Sequence, residues 1–389
     1  MGTLPATTDV VIVGAGPTGL ALAAVLATEG VSFVLVDRLA EGANTSRAAV
    51  VHARTLEVLE ELEVTDRLRV EGHVVPRFTV RDRDHVLTTI RFDGLPTRYP
   101  YTLMVPQDIT ESILLGRLRE LGGDVHRPYV GTDLRQDADG VTVTVAADGQ
   151  QPRTVRARYA VGADGMHSTV RECAGIGFTG DMYEQSFVLA DVRMSWPLRV
   201  DEVMLFFSPA GLVVVAPLPG GRRRVVATVD DAPERLGIAD VQHLLDERGP
   251  VTGAARVDEI VWSSRFRVHH RVADRYRAGR ILLAGDAAHV HSPAGGQGMN
   301  TGIQDAVALG HALAAVLAGR AAESRLDEYE RTRRPVAERV VAFTDRATRV
   351  ATLRSSRARS VRNGVIGMIG RIPAVRCRLA IELAGLRNR

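Results

Sequence analysis

A short apolar strand followed by three closely spaced glycines opens the chain. The run at 9–13 has the length of a buried parallel strand, and Gly14, Gly16 and Gly19 follow it as G-x-G-x-x-G. A helical pattern and a second apolar run, 33–36, come next. This order of elements predicts a βαβ unit in which the helix N-terminus faces a pyrophosphate. The start of the chain therefore predicts a dinucleotide-binding fold.

An acidic residue, Asp37, stands where the second predicted strand ends. A carboxylate at this place can accept hydrogen bonds from the adenosine ribose. The glycine motif and Asp37 together do not distinguish NAD from FAD.

Two further turns follow apolar runs later in the chain. Asp164 and Gly165 end the run at 157–163, and Asp286 follows the apolar run that ends at Ala284. A glycine-rich stretch, 293–300, then opens an alanine-rich helix. We expect the free N–H groups and the positive end of that helix to face an anionic group.

The middle of the chain has a different character. Short strand-like runs separated by glycine and proline fill residues 180–275 and predict an antiparallel sheet, whereas 325–389 are predicted as helices. The predicted fold class is α/β, with a Rossmann-like domain, an inserted antiparallel-sheet domain and C-terminal helices. The predicted parts are a discontinuous first domain (1–70, 100–180 and 275–345), a second domain (71–99 and 181–274) and a basic C-terminal segment (346–389).

The composition excludes several classes of protein. All 49 cationic side chains are arginine, so no mechanism can use a lysine nucleophile or a lysine Schiff base. Two cysteines, Cys173 and Cys377, cannot make a disulfide framework or a four-thiolate zinc site, and no metal is predicted. The sequence shows no signal peptide and no apolar run long enough to span a bilayer. A cytoplasmic enzyme without membrane contact is therefore expected.

The positive charge is concentrated at the C-terminal end. Residues 351–389 contain nine arginines and a single acidic residue, Glu382, but no aromatic side chain on which a base could stack. Nucleic-acid binding is therefore not predicted. Helices with a solvated basic face account for the pattern, and docking of an acidic carrier protein that holds the substrate is the alternative.

Taken together, the three glycine and aspartate motifs resemble one family, the class A FAD-dependent monooxygenases with the para-hydroxybenzoate hydroxylase fold. The motifs appear in the family's order, and the segments 46–62, 105–114 and 289–313 are most similar to the aromatic polyketide and phenol hydroxylase branch. Two features depart from the family. Asp37 replaces the usual glutamate, and the chain is expected to lack the thioredoxin-like C-terminal domain of many relatives.

The resemblance implies an activity and its cofactors. It implies non-covalent FAD, NADPH or NADH as co-substrate, and O2, with hydroxylation of a phenolic or polyketide small molecule through a flavin C4a-hydroperoxide. It also implies that the flavin moves between an exposed position, where it is reduced, and a buried one. The cofactor-binding residues that it implies are Gly14, Gly16, Gly19, Asp37, Arg38, Arg47, Gln107, Asp164, Gly165, Asp286, Gly298, Met299 and Asn300.

The substrate and catalytic residues are predicted from the second domain and from the glycine-rich stretch. The apolar runs at 204–207 and 212–216 are expected to form the pocket wall, with Leu205, Phe207, Val214 and Ala216 as substrate contacts. His291 and Pro293 are the candidate catalytic residues, because a histidine beside the flavin can titrate near neutral pH. His289 is interpreted as a packing residue, since the sequence offers it no obvious carboxylate partner.

Other functions fit the same scaffold. A Baeyer–Villiger or epoxidising monooxygenase would use the same cofactor and the same motifs. A non-catalytic flavoprotein that stabilises a substrate or partner is the alternative from another class, although Asp286 and the complete 293–300 stretch argue against it.

Overall fold

The chain folds into two large sheets, one small sheet and ten α-helices in the described residues. The computed structural model describes residues 4–42, 48–208, 210–229, 235–353 and 355–388, with backbone alone at 183–185, 266–268 and 356. The strands, in chain order, are β1 (Thr7–Val13), β2 (Phe33–Val36), β3 (Val50–Val51), β4 (His73–Val75), β5 (Arg77–Asp82), β6 (His85–Arg91), β7 (Thr102–Met104), β8 (Val125–His126), β9 (Val130–Gln136), β10 (Val141–Ala146), β11 (Arg153–Gly162), β12 (Phe178–Ser195), β13 (Glu202–Ser208), β14 (Gly211–Pro217), β15 (Arg223–Val229), β16 (Arg256–Ala273), β17 (Arg277–Ala278), β18 (Ile281–Leu283) and β19 (His289–Val290).

Helices separate and follow these strands. No helix within the described ranges is long and apolar enough to cross a membrane. The helices are α1 (Pro17–Thr28), α2 (Ala53–Leu59), α3 (Thr65–Glu71), α4 (Gln107–Glu120), α5 (Thr169–Cys173), α6 (Ile238–Arg248), α7 (Gly298–Leu317), α8 (Ser324–Ala351), α9 (Ser356–Ile369) and α10 (Pro373–Leu383).

The first sheet carries the predicted dinucleotide-binding unit. Its order is β17-β18-β11-β1-β2-β8, and β18, β11, β1, β2 and β8 run parallel to one another. Val10 to Val13 of β1 are buried, as a parallel strand covered on both faces requires. The predicted βαβ opening is confirmed, because β1, α1 and β2 follow one another as the sequence indicated.

The second sheet has the order β19-β16-β12-β15-β14-β13-β5-β6. Its neighbouring strands are antiparallel, as predicted, except for β13 and β5, which run parallel. One face packs against α6 through Val241, Leu244 and Leu245. The opposite face packs against the main apolar core and, through Phe207 and Ile366, against α9. The limits of the two domains stay a prediction.

Small residues let α7 lie close to α1. A side chain at Gly310 would come within 2.6 Å of Val25, and one at Gly302 within 2.5 Å of the Thr18 hydroxyl. Glycine at these two positions therefore allows the helices to pack with their backbones in close approach. This packing places the N-terminus of α7 near the N-terminus of α1.

The C-terminal segment is part of the packed structure. Leu383 and Leu386 lie in the main apolar core, and the Ala384 carbonyl accepts a hydrogen bond from the Arg54 backbone N–H at 3.1 Å. The buried Arg362 lies over the Phe207 ring of β13, 4.7 Å from its centroid. The segment therefore contacts both the first domain and the second sheet.

Candidate active site

The motifs identified in the sequence meet at one edge of the first sheet. Because β11, β1, β2 and β18 run parallel, the turns that follow them lie at the same edge. These turns contain Asp164, Gly14, Asp37 and Asp286, respectively. The structure thus brings together residues that are distant in the sequence.

Each glycine of the first turn has a distinct steric role. Gly14 has φ +102°, and a side chain there would collide with the Ala163 carbonyl at 2.3 Å. A side chain at Gly19 would lie 1.9 Å from the Gly14 carbonyl. Gly16, the N-cap of α1, has no protein atom within 4 Å of its missing side chain. Gly16 therefore faces the space that a pyrophosphate needs at the helix N-terminus.

Asp37 also shapes the glycine turn. One of its carboxylate oxygens accepts a hydrogen bond from the Ala15 backbone N–H at 2.7 Å, and the other accepts one from Leu39 at 2.9 Å. Each carboxylate oxygen can accept a further hydrogen bond from a ribose hydroxyl. Arg38 beside it is exposed, and Arg47 lies outside the described residues.

The Asp164–Gly165 turn is bonded to its own chain and to the next motif. Asp164 accepts hydrogen bonds from the Ser168 hydroxyl and, at 3.2 Å, from the Val170 backbone N–H, while burial raises the pKa of its carboxyl. Arg171 donates to the carbonyls of Met166 and Ala287, both at 3.0 Å. The buried Arg171 therefore joins this turn to the Asp286 turn.

The Asp286 turn leaves its carboxylate at the surface of the site. Gly285 has φ +62°, and a side chain there would lie 2.5 Å from the Thr18 hydroxyl of α1. Gly285 and Ala287 are buried, whereas Asp286 is exposed between them. This geometry leaves the carboxylate accessible to a hydroxyl-bearing ligand.

The stretch from Pro293 to Gln297 leads into α7. It is called the flavin loop below, because the family resemblance implies that it lies beside the flavin. Gly295 and Gly296 have φ +83° and +64°, and a side chain at Gly296 would lie 2.8 Å from Val50. Helix α7 begins at Gly298 and has no acidic residue in its first turn. Its unpaired N–H groups and positive end are therefore available to an anion.

Asn300 has a side-chain role that the sequence did not indicate. Its amide nitrogen donates to the carbonyls of Val50 at 2.8 Å and Gly296 at 2.7 Å, and its amide oxygen accepts from the His52 backbone N–H at 2.8 Å. The buried side chain therefore joins the flavin loop to the segment before α2.

His289 has a carboxylate partner that sequence analysis missed. Its Nε2 lies 2.6 Å from the carboxylate of Asp305, which is buried on α7, and Arg333 of α8 donates to the same carboxylate at 2.7 Å. Burial opposes the charge of Asp305, but Arg333 and His289 more than offset this effect and hold the pKa of the carboxyl below its usual value. His289 is thus part of a buried ionic cluster behind the Asp286 turn.

Pro293 is the first residue of the flavin loop, and His291 lies two residues before it. Burial lowers the pKa of His291 to about 4, although a 2.9 Å contact between Nδ1 and the Ser292 carbonyl favours the protonated ring. Its Nε2 is buried without a described partner and would lie 4.0 Å from a side chain at Gly298. His291 is therefore neutral at pH 7, with a polar atom near the first residue of α7.

Gln107 is turned into the protein. Its side-chain oxygen accepts from the Ala48 backbone N–H at 3.3 Å, and its nitrogen donates to Glu111 at 2.8 Å. The structure gives this side chain a bridging role between α4 and the segment that precedes β3. Contact of Gln107 with a cofactor stays a prediction.

The four predicted substrate residues share one face of the second sheet. Leu205 pairs with Val214, and strand alternation puts Phe207 and Ala216 on the same side as this pair. Leu205, Val214 and Ala216 pack against the main core, whereas Phe207 packs beside Ile366 of α9. This face is turned away from α6 and can form an apolar wall.

Arg127, which directly follows β8, is a further candidate cofactor-binding residue that the sequence analysis did not identify. Its Nε is buried without a described partner, in a cleft of about 250 Å³ that Gly42 and Arg119 also line. Arg127 follows β8, which pairs with β2, and Asp37 follows β2. Knowledge of the sheet order would therefore have pointed to this arginine.

Within the described ranges no group of three or more His, Cys, Asp or Glu side chains could hold a metal ion.

Comparison with known proteins decides which dinucleotide this edge binds. A family model described as an FAD binding domain matches residues 7–344. The chain belongs to this FAD-binding family. A relative from Streptomyces rimosus, 12-dehydrotetracycline 5-monooxygenase/anhydrotetracycline 6-monooxygenase, is 41% identical over 348 residues, which cover 86% of this chain and 68% of the relative.

Solved structures agree with the family. Anhydrotetracycline hydroxylase from Streptomyces rimosus superposes with a TM-score of 0.82 and 37% identity, covering 98% of this chain and 76% of that one. p-Nitrophenol 4-monooxygenase from Pseudomonas putida superposes with a TM-score of 0.87 and 26% identity, covering 99% of this chain and 100% of that one. The predicted FAD-dependent aromatic monooxygenase activity and the predicted fold class are confirmed.

Replacing Asp286 by alanine is expected to weaken FAD binding about ten- to a hundred-fold. The change would remove the charge-assisted hydrogen bond that the family resemblance implies between this carboxylate and FAD, which is worth roughly 1.5–3 kcal/mol. FAD titration followed by flavin fluorescence measures the effect, and Asp258→Ala, at an exposed residue of β16, is the control. Wild-type affinity in the Asp286 variant would show that this carboxylate does not contact the cofactor.

Proposed function

We propose that the chain hydroxylates a polycyclic phenolic or polyketide-derived small molecule, with NADPH or NADH as the reductant. The observation that carries the proposal is the apolar face of Leu205, Val214 and Ala216, which is turned towards the FAD-binding domain. Such a face suits a flat aromatic ligand, which needs a large apolar contact and few polar groups. The names of the tetracycline-modifying relatives support substrates of this class.

The residues at the sheet edge fit FAD. Gly16 and the N-terminus of α1 would accept the pyrophosphate, Asp37 the adenosine ribose, and Asp286 a hydroxyl of the ribityl chain. The first turn of α7, with Gly298, Met299 and Asn300, would hold the isoalloxazine through backbone N–H groups. Bound FAD supplies the redox chemistry, carrying two electrons from the nicotinamide to O2 and one oxygen atom to the ring.

The protein itself binds the substrate, orients it and keeps water away from the reacting atoms. The apolar face excludes water from the reacting atoms. Neutral His291 would offer Nε2 as a hydrogen-bond partner for the substrate or the flavin, and Pro293 would restrict the loop backbone beside it. These two roles make His291 and Pro293 the proposed residues nearest the chemistry.

The nicotinamide cofactor has no Rossmann unit of its own, since no second G-x-G-x-x-G occurs. A basic group beside the Asp164–Gly165 turn would attract its phosphates. Besides burial, the positive charge of Arg271 lowers the pKa of Arg171, so the two guanidinium groups lie near each other at this turn. Arg271 keeps its charge at neutral pH and supports binding of the phosphates next to the flavin site.

Reduction of the flavin is expected to be faster when the pocket is filled. NAD(P)H must meet the flavin at a shared site, and coupling reduction to a bound substrate avoids wasted peroxide. Stopped-flow reduction by NADPH and by NADH, with and without hydroxylated polycyclic ligands, measures this. Equal rates with every ligand that is turned over would refute the coupling.

The basic C-terminal segment supports a proposed partner, an acidic carrier protein that presents the substrate. Val361, Val365 and Met368 of α9 are 67%, 43% and 64% exposed and lie on one helix face, with Arg357 and Arg371 exposed at its ends. Charge reversal at Arg357 and Arg371 should slow turnover of a carrier-bound substrate but leave that of the free substrate unchanged. Equal effects on both substrates would argue against the partner.

A further inference from the structure

The flavin loop is bonded on one side to His52, a residue that no motif identified. His52 follows β3, is the N-cap of α2 and is fully buried. Its Nε2 lies 2.7 Å from the Gly295 carbonyl oxygen. Because a carbonyl oxygen can only accept, Nε2 carries the proton and Nδ1 has the lone pair. The Thr102 hydroxyl, 3.5 Å from Nδ1, is placed to donate to it.

The same segment also holds the far end of the loop. The His52 backbone N–H donates to Asn300, whose side chain reaches back to the carbonyls of Gly296 and Val50. Hydrogen bonds from residues 50–52 thus reach both the middle of the loop and the first turn of α7. The ring of His52 is neutral at pH 7, because burial lowers its pKa to about 4. It adds no positive charge beside the loop.

The loop needs such support from outside. Gly295 and Gly296, both at positive φ, have no side chain to fix their conformation, and glycine gains the most freedom when a contact is lost. On the opposite side the buried Gln297 donates to the Leu383 carbonyl at 3.0 Å, and a side chain at Gly295 would meet Leu383 at 3.2 Å. The Gln297 amide nitrogen also lies 3.4 Å from the Gly295 carbonyl oxygen, so His52, at 2.7 Å, supplies the shorter of the two side-chain bonds to this carbonyl.

We propose that His52 is a positioning residue for the flavin: its Nε2–H holds the Gly295 carbonyl so that the flavin loop and the first turn of α7 keep the shape that binds the isoalloxazine ring. The inference rests on the proposed placing of that ring at this loop. Without the bond, the loop samples other conformations and the bound ring moves more freely. The residue acts through the loop, without touching the reacting atoms.

The test uses variants that separate the hydrogen bond from packing. His52→Gln keeps an N–H donor on a side chain of similar reach, whereas His52→Leu keeps the volume without the donor and His52→Asn has a donor on a shorter arm. His311→Leu, on the exposed side of α7, is the control. The readouts are FAD affinity, fluorescence anisotropy of bound FAD, and the fraction of oxidised NAD(P)H that ends as hydrogen peroxide.

The expected result is a pattern across the four variants. The Leu and Asn variants should bind FAD about three- to ten-fold more weakly, as the loss of one net hydrogen bond requires, with lower flavin anisotropy and a larger peroxide fraction. The Gln and His311 variants should match the wild type. Unchanged anisotropy in the Leu and Asn variants, or equal damage in the Gln variant, would overturn the inference.

Two further points keep the result readable. If the Leu variant does not fold, the comparison of Gln with Asn decides, because both are polar amides and differ in reach. The affinity and anisotropy measurements need no aromatic substrate. Failure of the proposed function would appear in the wild type as FAD binding without product, whereas failure of this inference would appear as variants with wild-type flavin signals.

Discussion

Replacing Asp305 by alanine is expected to lower the free energy of unfolding by about 3–5 kcal/mol, because it leaves the buried guanidinium of Arg333 without a counter-charge. Asp305 is fully buried and bonded to Arg333 at 2.7 Å and to His289 at 2.6 Å, and its carboxylate also lies 3.4 Å from the Gly285 backbone N–H. Three elements around the Asp286 turn therefore depend on this one side chain.

Urea unfolding followed by circular dichroism, with and without FAD, measures the effect. The matched control is Asp258→Ala, which breaks a 3.1 Å pair between the exposed side chains of Asp258 and Arg256 on β16 and should cost no more than about 1 kcal/mol. Equal losses in the two variants would contradict the assignment of Asp305 as the central carboxylate of a buried cluster.

Acidification from pH 7 to pH 5 is expected to destabilise the fold by about 2 kcal/mol through His52 alone. The folded pKa of His52 is lowered from 6.5 to about 4 by burial, so the unfolded chain takes up a proton that the native state excludes. The stabilisation by the neutral ring is complete above pH 6.5 and is lost as the pH falls towards 4. His291, with its pKa also lowered to about 4, adds a loss of the same sign.

Urea unfolding curves recorded every half pH unit from pH 7.5 to pH 4.5 measure how the free energy of unfolding changes with pH. The His52→Gln variant removes one titrating group, so its stability should fall less steeply by the His52 contribution. Parallel curves for the variant and the wild type would show that folding does not change the pKa of His52. The pKa of Asp305 is held low, so its effect on stability falls mainly below pH 4.5 and does not alter the comparison.

Local patterns predicted the parts of the site that depend on neighbouring residues. Gly14, Gly16 and Gly19 form the first turn because each lies within a few residues of the strand and helix that it joins. Asp286 follows its strand in the same way. Parallel pairing then brings these turns together, which a βαβ pattern already implies.

Contacts between distant segments could not be predicted in this way. His289 meets Asp305 only because α7 turns its buried face towards β19, and Arg333 reaches the same carboxylate from the next helix. Likewise, the family resemblance implies that Gln107 contacts the cofactor, but its side chain is bonded to Ala48 and Glu111. The sequence predicts C-terminal helices with a solvated basic face, but not that Leu383 of α10 packs in the main core beside the flavin loop.

The most direct test of the central claim is turnover under oxygen-18 gas. The purified protein, loaded with FAD, is supplied with NADPH or NADH and a panel of polycyclic and single-ring phenols. Mass spectrometry measures how much oxygen-18 each product contains. The structure and its relatives predict a product with one oxygen atom from the gas for each NAD(P)H consumed. NAD(P)H oxidation that yields only hydrogen peroxide with every phenol that binds, or a product whose new oxygen comes from water, would contradict it.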